Sequence, residues 1–147
     1  MPHPNQIFDT VSRRDPLELW PNDSDAPDYQ RVTELVDLSR SDVSKVAGVA
    51  KQSVRYDNRI PEAVRKRLDE IANICTLVGE FFDGDAHKTA LWFRTANPMF
   101  GNISPRDMIR FGRYKKLLNY ILEARQQNRG GEQKKNETAT ATSSEGV

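Results

Sequence analysis

Apolar residues recur at intervals of three or four positions through much of this 147-residue chain. Such spacing places apolar side chains on one face of an α-helix. The longest series consists of Val64, Leu68, Ile71, Cys75, Val78 and Phe82. It predicts a long helix that begins at Pro61 and ends near Asp83. The last helix is predicted by a second series, namely Tyr114, Leu117, Leu118, Ile121 and Leu122.

Shorter segments between residues 32 and 96 show the same helical spacing. Ser39 and Asp42 have the separation of a capping box, in which each side chain satisfies a backbone N–H of the other residue at a helix start. We predict further helices at residues 32–38, 39–47, 50–56 and 86–96. No segment alternates between apolar and polar residues with a period of two, as a half-buried strand would. The pattern therefore predicts an all-α protein.

Turn-forming residues are dense between Trp92 and Arg113. Asn97-Pro98 should end the preceding helix, because proline has no N–H and restricts the residue before it. Gly101-Asn102 offers a second turn, and Ser104-Pro105 predicts a new helix start. Gly112 interrupts the next apolar run. We expect a fixed group of short helices here, and residues 92–113 are called the knuckle below.

Composition divides the chain into four parts. Residues 1–28 hold five of the eight prolines and six acidic residues, so we expect an arm that is ordered only where Leu17, Leu19 or Trp20 contacts a surface. We assign residues 29–60 to a helix-turn-helix region and residues 61–125 to a second helical domain. Residues 126–147 are polar and without periodicity, and we expect them to be disordered.

The net charge of +1 conceals an uneven distribution. Residues 84–125 contain eight basic and three acidic residues, whereas residues 1–28 contain two basic and six acidic ones. The basic segment could bind an acidic partner or a phosphate backbone, and the charge balance alone does not distinguish them. Arg113 lies near the start of the last helix, where a cation is unfavourable because of the helix dipole. That position suggests an external anion or carboxylate as its partner.

Residues 40–57 have features of a helix-turn-helix. Val43 and Ala47 would face inward, Gly48 would permit the turn, and Val54 would anchor the second helix. That helix would present to the DNA major groove the side chains of Lys51, Gln52, Ser53, Arg55 and Tyr56. Gln52 and Arg55 can read base edges, whereas Lys51 and Ser53 suit phosphates. The alternative is a helical corner with a solvated polar face, and Asp57 favours it because an apolar residue usually closes such a unit.

The knuckle also carries a combination of short motifs. They are a tryptophan at position 92, N-P-x-F-G at residues 97–101, I-S-P at residues 103–105 and I-x-x-G-R at residues 109–113. Together these motifs resemble the C-terminal domain of the Xre/MbcA/ParS antitoxins, which partner RES-domain toxins. The resemblance extends more loosely over residues 30–125. It implies that the knuckle is shaped by the matching residues Trp92, Asn97, Pro98, Phe100, Gly101, Ser104, Pro105 and Gly112.

In that family the N-terminal region is an Xre-type helix-turn-helix, and the C-terminal domain dimerises and covers the active-site cleft of the toxin. RES toxins resemble ADP-ribosyltransferases and consume NAD. The resemblance therefore implies an antitoxin of a type II system that also binds its operator DNA. Arg113 matches the motif and is the first candidate for a contact with the toxin. Further candidates, chosen for exposure and charge, are Arg110, Lys116, Asn119 and Arg125.

Few residues point to catalysis. His3, His87 and the single Cys75 do not have the number or spacing of a catalytic pair or a metal site, so we expect no enzyme activity, no cofactor and no metal. No apolar run approaches the roughly 20 residues of a membrane span, and the residues from Met1 onward do not have the basic-then-apolar pattern of a secretory leader, so we expect a cytoplasmic protein.

Two alternatives to the antitoxin stay open. One is a dimeric helix-turn-helix transcription regulator without a toxin partner, and the other is a protein inhibitor that no longer binds DNA. We also expect a homodimer, because the two longest apolar series look too extensive for a small monomer to bury.

Overall fold

Six α-helices form the fold of residues 15–137, the part of the chain that the computed structural model describes, with side chains described through Asn128. The helices are α1 (Tyr29–Val36), α2 (Arg40–Ala47), α3 (Glu62–Phe81), α4 (Ala86–Arg94), α5 (Pro105–Arg110) and α6 (Tyr114–Glu137). Single turns of 3-10 helix occupy Pro21–Asp23, Lys51–Ser53 and Pro98–Phe100. No strand occurs among residues 15–137, and the all-α prediction is confirmed. None of these helices combines the length and apolar character that crossing a bilayer requires.

Local sequence determines where α2 and α4 begin. The hydroxyl of Ser39 accepts a hydrogen bond from the N–H of Asp42 at 3.0 Å, and the Asp42 carboxylate accepts one from the N–H of Ser39 at 2.9 Å. These two bonds complete the predicted capping box. Asp85 begins α4 in a similar way, since its carboxylate accepts from the N–H of Lys88 at 2.9 Å.

Helix α3 lies at the centre of the molecule. It packs against α1, α2, α4 and α6, and the apolar positions Val64, Leu68, Ile71, Cys75 and Val78 along it are at most 2% exposed. The core cluster runs from Leu17 to Ile121 and draws on helices from both sides of residue 60. The region assigned to a helix-turn-helix and the C-terminal helices therefore share one hydrophobic core.

We expected a homodimer because the two apolar series looked too extensive for one chain to bury, but one chain buries them. The series on α3 is covered by the same chain, and Leu117 and Ile121 of α6 are also at most 2% exposed. From the two series only Leu122 is largely exposed, at 43%. Dimerisation stays a prediction, but the two apolar series do not supply its interface.

The visible part of the N-terminal arm packs on the core as expected. Leu17 and Leu19 are 3% and 0% exposed, and Trp20 is partly buried. The carboxylate of Asp15 holds this segment by accepting hydrogen bonds from the N–H groups of Leu19 at 2.7 Å and Trp20 at 2.9 Å. Residues 1–14 lie outside the described part of the chain.

The predicted helix at residues 50–56 is wrong. Only Lys51–Ser53 form a helical turn, and Val54 is extended with φ −75° and ψ 117°. The Val54 carbonyl accepts hydrogen bonds from Nε and Nη2 of Arg40, at 3.1 and 2.5 Å. That carbonyl is therefore engaged by α2 and is not available to a helix of its own.

The disorder predicted from residue 126 is also wrong as far as Glu137. Helix α6 continues without interruption through this point. Residues 123–127 are Glu, Ala, Arg, Gln and Gln, all strong helix formers, so the helix continues past the last core contact. Residues 138–147 lie outside the described part of the chain.

Candidate partner-binding surface

The knuckle has the turns that its sequence predicts. Helix α4 ends at Arg94, three residues before Asn97, and Asn97 begins the next helical turn, where its side chain accepts a hydrogen bond from the N–H of Met99 at 2.9 Å. The N–H of Asn97 donates to the carbonyl of Ile103 at 2.9 Å, which closes the loop across Gly101-Asn102. Both residues of that turn have positive φ, 71° and 67°. The loop therefore has a fixed shape held by its own backbone.

The remaining motif residues attach the knuckle to the helices around it. The ring of Phe100 meets that of Tyr120 in α6 edge to face, with centroids 4.8 Å apart. Trp92 packs in the same manner on the buried Phe93, at 5.2 Å. Ser104 and Pro105 are buried at the start of α5, where Ser104 Oγ accepts from the N–H of Asp107 at 3.1 Å.

A Schellman motif forms the corner between α5 and α6. The N–H of Gly112 donates to the carbonyl of Ile109 at 2.9 Å, and the N–H of Arg113 donates to the carbonyl of Met108 at 2.8 Å. Gly112 has φ 77°, the left-handed conformation that this motif requires and that glycine adopts without a steric cost. The geometry turns the chain sharply and leaves Phe111, Gly112 and Arg113 exposed in succession.

Phe111 is the residue that the sequence analysis missed. It is 61% exposed, although the apolar pattern of α5 would place a phenylalanine in the core. Its position immediately before Gly112 could have indicated this exposure, because the residue at a helix C-cap no longer follows the periodicity of the helix. An aromatic ring of this size in water is a typical anchor of protein interfaces.

Arg113 lies next to this ring at the start of α6. Its carbonyl accepts the N–H of Leu117 at 3.1 Å, so Arg113 occupies the position just before the first turn of the helix. The guanidinium is exposed and forms no ion pair with any residue of the described chain. A cation at a helix N-terminus is repelled by the helix dipole, and the fold offers Arg113 no compensation.

Lys116 and Asn119 follow Arg113 at intervals of three and are also exposed. Lys115 adds a further exposed cation on the first turn of α6. Residues three apart lie on neighbouring positions of a helix surface. Arg113, Lys116 and Asn119 therefore form a polar track that begins at Phe111, and these four residues are called the corner surface below.

The other two predicted contacts are engaged within the chain. Arg110 donates from Nε to Asp42 Oδ1 and from Nη1 to Asp107 Oδ1, both at 3.0 Å. Arg125 pairs with Glu80 on α3 at 3.3 Å. Both arginines hold helices together, and a partner would have to displace these carboxylates to use them.

Asp42 is the centre of this internal charge cluster. Its side chain is 8% exposed and faces Arg106 Nη2 at 3.7 Å as well as Arg110. Burial by itself would raise the pKa of Asp42, but hydrogen bonds from Ser39 and Arg110 stabilise the carboxylate and leave its pKa below the ordinary value. The cluster joins α2 to α5 by charge.

The predicted DNA-binding residues do not share one helix face. Lys51, Gln52 and Ser53 are exposed on the 3-10 turn, and Arg55 is exposed on the extended segment after it. The Arg55 guanidinium is bound to the Asp57 carboxylate, including an Nε–Oδ1 hydrogen bond of 2.7 Å. Hydrogen bonds from Arg55 and from the N–H of Arg59 lower the pKa of Asp57 to about 2. Tyr56 is partly buried, and burial raises the pKa of its hydroxyl.

The remaining candidates for chemistry lie apart from the corner surface. Cys75 is fully buried in α3, and burial raises the pKa of its thiol, so it packs as a small apolar residue. His87 is exposed on α4, and His3 lies outside the described chain. Among residues with described side chains, no three His, Cys, Asp or Glu groups lie close enough to share a metal ion.

Comparison of the chain with protein-family models, with curated proteins and with solved structures found no significant match.

Proposed function

We propose that this protein is an antitoxin that binds a RES-type, NAD-consuming toxin through the corner surface and covers the active site of that toxin. The proposal rests on the resemblance of the knuckle motifs to the Xre/MbcA/ParS antitoxins. The observation that carries it is the exposure of Phe111 two residues before Arg113, which has no ion pair among the residues with described side chains, at the corner that the I-x-x-G-R motif builds. An anchor ring next to an uncompensated cation is suited to a partner surface that is both apolar and anionic.

The chemistry of a dinucleotide site limits how the toxin would be covered. A cleft that binds the pyrophosphate of NAD has a positive or donor-rich lining, so we expect Arg113 to meet an acidic residue at the rim of the cleft and not the pyrophosphate site itself. The guanidinium of Arg113 can form two parallel hydrogen bonds with a carboxylate, and the lysines of α6 add a diffuse positive field. The corner surface would therefore cover the mouth of the cleft through contacts with its rim.

Charge reversal at the corner tests the proposal. Arg113→Glu should weaken binding to the toxin by about 2 kcal/mol or more, because a buried interfacial cation would become a buried anion opposite another anion. Lys88→Glu on α4 is the matched control, since Lys88 is exposed and α4 follows the C-terminal end of α3, whereas the start of α6 contacts Arg67 near the N-terminal end of α3. Equal affinities for the Arg113→Glu and Lys88→Glu proteins would refute the assignment of this surface.

A second function, DNA binding, has one observation in its favour. Lys51, Gln52 and Ser53 are consecutive, exposed and suited to phosphate contacts. We propose that operator binding, if it accompanies toxin binding, uses this turn and not a recognition helix. A transcription regulator without a toxin partner is the alternative function, and a homodimer would pair two such turns on one operator. Gel-shift titrations of DNA with the wild-type protein and with the Lys51→Ala protein compare the two affinities, and a weaker affinity for Lys51→Ala would show that the turn contacts DNA.

A further inference from the structure

An apolar groove lies where the C-terminal end of α3 meets α4 and α6. Its volume is about 250 Å³. The side chains that line it include Val78, Phe81 and Phe82 of α3, Trp92 of α4, and Tyr120 and Ala124 of α6. Phe81 is 41% exposed at its edge. Contiguous apolar surface of this kind is costly in water and usually has a protein segment that covers it.

The N-terminal arm reaches the same end of α3. A Cβ placed on Gly79 would lie 2.7 Å from Cγ of Leu17, so the arm packs directly on this glycine. The carbonyl oxygen of Pro16 lies 3.0 Å from the position of a Cβ on Gly84, just beyond the helix. Gly79 adjoins Val78 and lies one turn before Phe82, both of which line the groove. The chain therefore enters the described fold beside the groove.

The sequence before Asp15 has the composition of a segment that could fill it. Ile7, Phe8 and Val11 have the spacing of a single helix face. Pro16 lies eight positions after Phe8, a span of roughly 12 Å as a helix or roughly 26 Å when extended. Either span is enough to cross from the arm to the adjacent groove.

The charges near the end of α3 also favour docking of the N-terminal segment there. Arg13 and Arg14 immediately precede the packed part of the arm. Asp83 and Asp85 are exposed in the turn between α3 and α4, next to Gly84 and therefore next to Pro16. Opposite charges at this point would hold the incoming chain against the end of α3.

We propose that the groove is the docking site of the chain's own N-terminal segment, with Ile7, Phe8 and Val11 packed against Phe81 and Trp92. This proposal is independent of the toxin and DNA hypotheses. It gives the first residues of the arm a structural role, namely to cover the apolar surface that α3, α4 and α6 leave open.

Photo-cross-linking of the full-length chain tests the proposal directly. p-Benzoylphenylalanine replaces Phe8 in one protein and the polar Asn5 in the control, and each sample mixes isotopically light and heavy chains. We expect Phe8-position cross-links to Phe82, Trp92, Tyr120 or Ala124 within one chain, with few from position 5. Cross-links between light and heavy chains would instead assign the groove to a second copy. Cross-links that avoid the groove would overturn the proposal.

Fluorescence quenching gives a second readout that needs no cross-linker. In a Trp20→Phe background, Trp92 is the single tryptophan and reports on the groove. The double variant Ile7→Ser, Phe8→Ser should raise the acrylamide quenching constant of Trp92, while the flanking control Gln6→Ser, Asp9→Ser should leave it unchanged. Equal quenching in the two double variants would contradict docking of the apolar residues.

Discussion

Nε of Arg110 in α5 donates a hydrogen bond of 3.0 Å to Oδ1 of Asp42, the buried carboxylate that also completes the capping box at the start of α2. One side chain therefore stabilises a helix start and links it to the helix that precedes the corner surface. Residues 68 positions apart are brought together by this contact. Helix α5 also packs against α4 and α6, and this bond adds a charged contact to its packing against α2.

Removal of the Asp42 carboxylate should destabilise the fold. Asp42→Ala deletes one half of the capping box and leaves Arg110 without its more buried acceptor, so we expect the free energy of unfolding to fall by about 1–3 kcal/mol. Urea denaturation followed by circular dichroism measures the change. Asp37→Asn is the control. The Asp37 carboxylate is exposed and forms only long ion pairs with its arginine partners, at 3.8 and 3.9 Å. Its φ is positive, and asparagine accepts that conformation. A loss as large in the control would contradict a specific role for Asp42.

The contribution of Asp42 should depend on pH. Its pKa is lower in the folded than in the unfolded chain, so its stabilisation is fully present above the ordinary value near 3.8 and is lost as the pH falls through the folded pKa. The difference in unfolding free energy between wild type and Asp42→Ala should therefore be constant at neutral pH and shrink below about pH 4. Denaturation curves at a series of pH values test this. A difference that is unchanged at pH 2.5 to 3 would show that the carboxylate charge does not contribute.

Gly112 should tolerate asparagine better than alanine. A Cβ placed on Gly112 meets no atom within 4 Å, so the cost of alanine at this position arises from its φ of 77°. Gly112→Ala should lower the free energy of unfolding by about 1–2 kcal/mol, and Gly112→Asn by less, because asparagine adopts the left-handed conformation more readily. Thermal denaturation of the two variants gives the order. If alanine proved the milder change, the Schellman geometry of the corner would be incorrect.

DNA binding, if present, should be weakly selective for sequence. A three-residue turn cannot enter a major groove as a recognition helix does, so Lys51 would contact phosphate. Lys51→Ala should weaken binding to all duplexes alike and reduce the slope of log affinity against log salt by about 1. Arg55→Ala should have a smaller effect, since its guanidinium is already bound to Asp57. Loss of a single preferred sequence in Arg55→Ala would contradict this arrangement and favour base readout.

Local signals in the sequence predicted much of the fold. The starts of α2 and α5 follow from Ser39 and Ser104, because capping depends on residues three positions apart. The turns at Gly101 and Gly112 follow from backbone conformations that few other residues adopt. These features require no knowledge of distant contacts.

Contacts between distant residues account for what the sequence did not predict. The segment after Ser53 is extended because Arg40, fourteen residues before Val54, binds the Val54 carbonyl. Arg110 and Arg125 look like free cations in the sequence, but the fold places Asp42 and Glu80 beside them. The sequence placed Arg113 near the start of the last helix, where it lies, whereas the exposure of Phe111 depended on the precise residue at which α5 ends.

The activity of the captured partner tests the antitoxin proposal most directly. The protein is purified from its native host, and any stoichiometric partner is identified by mass spectrometry. NAD consumption by the partner is then measured alone, with wild-type protein, and with Arg113→Glu or Lys88→Glu. We expect a RES-domain partner that consumes NAD alone, is silent with wild type or Lys88→Glu, and regains activity with Arg113→Glu. Recovery of this chain with no protein partner, or of a partner whose NAD consumption it leaves unchanged, would contradict the proposal.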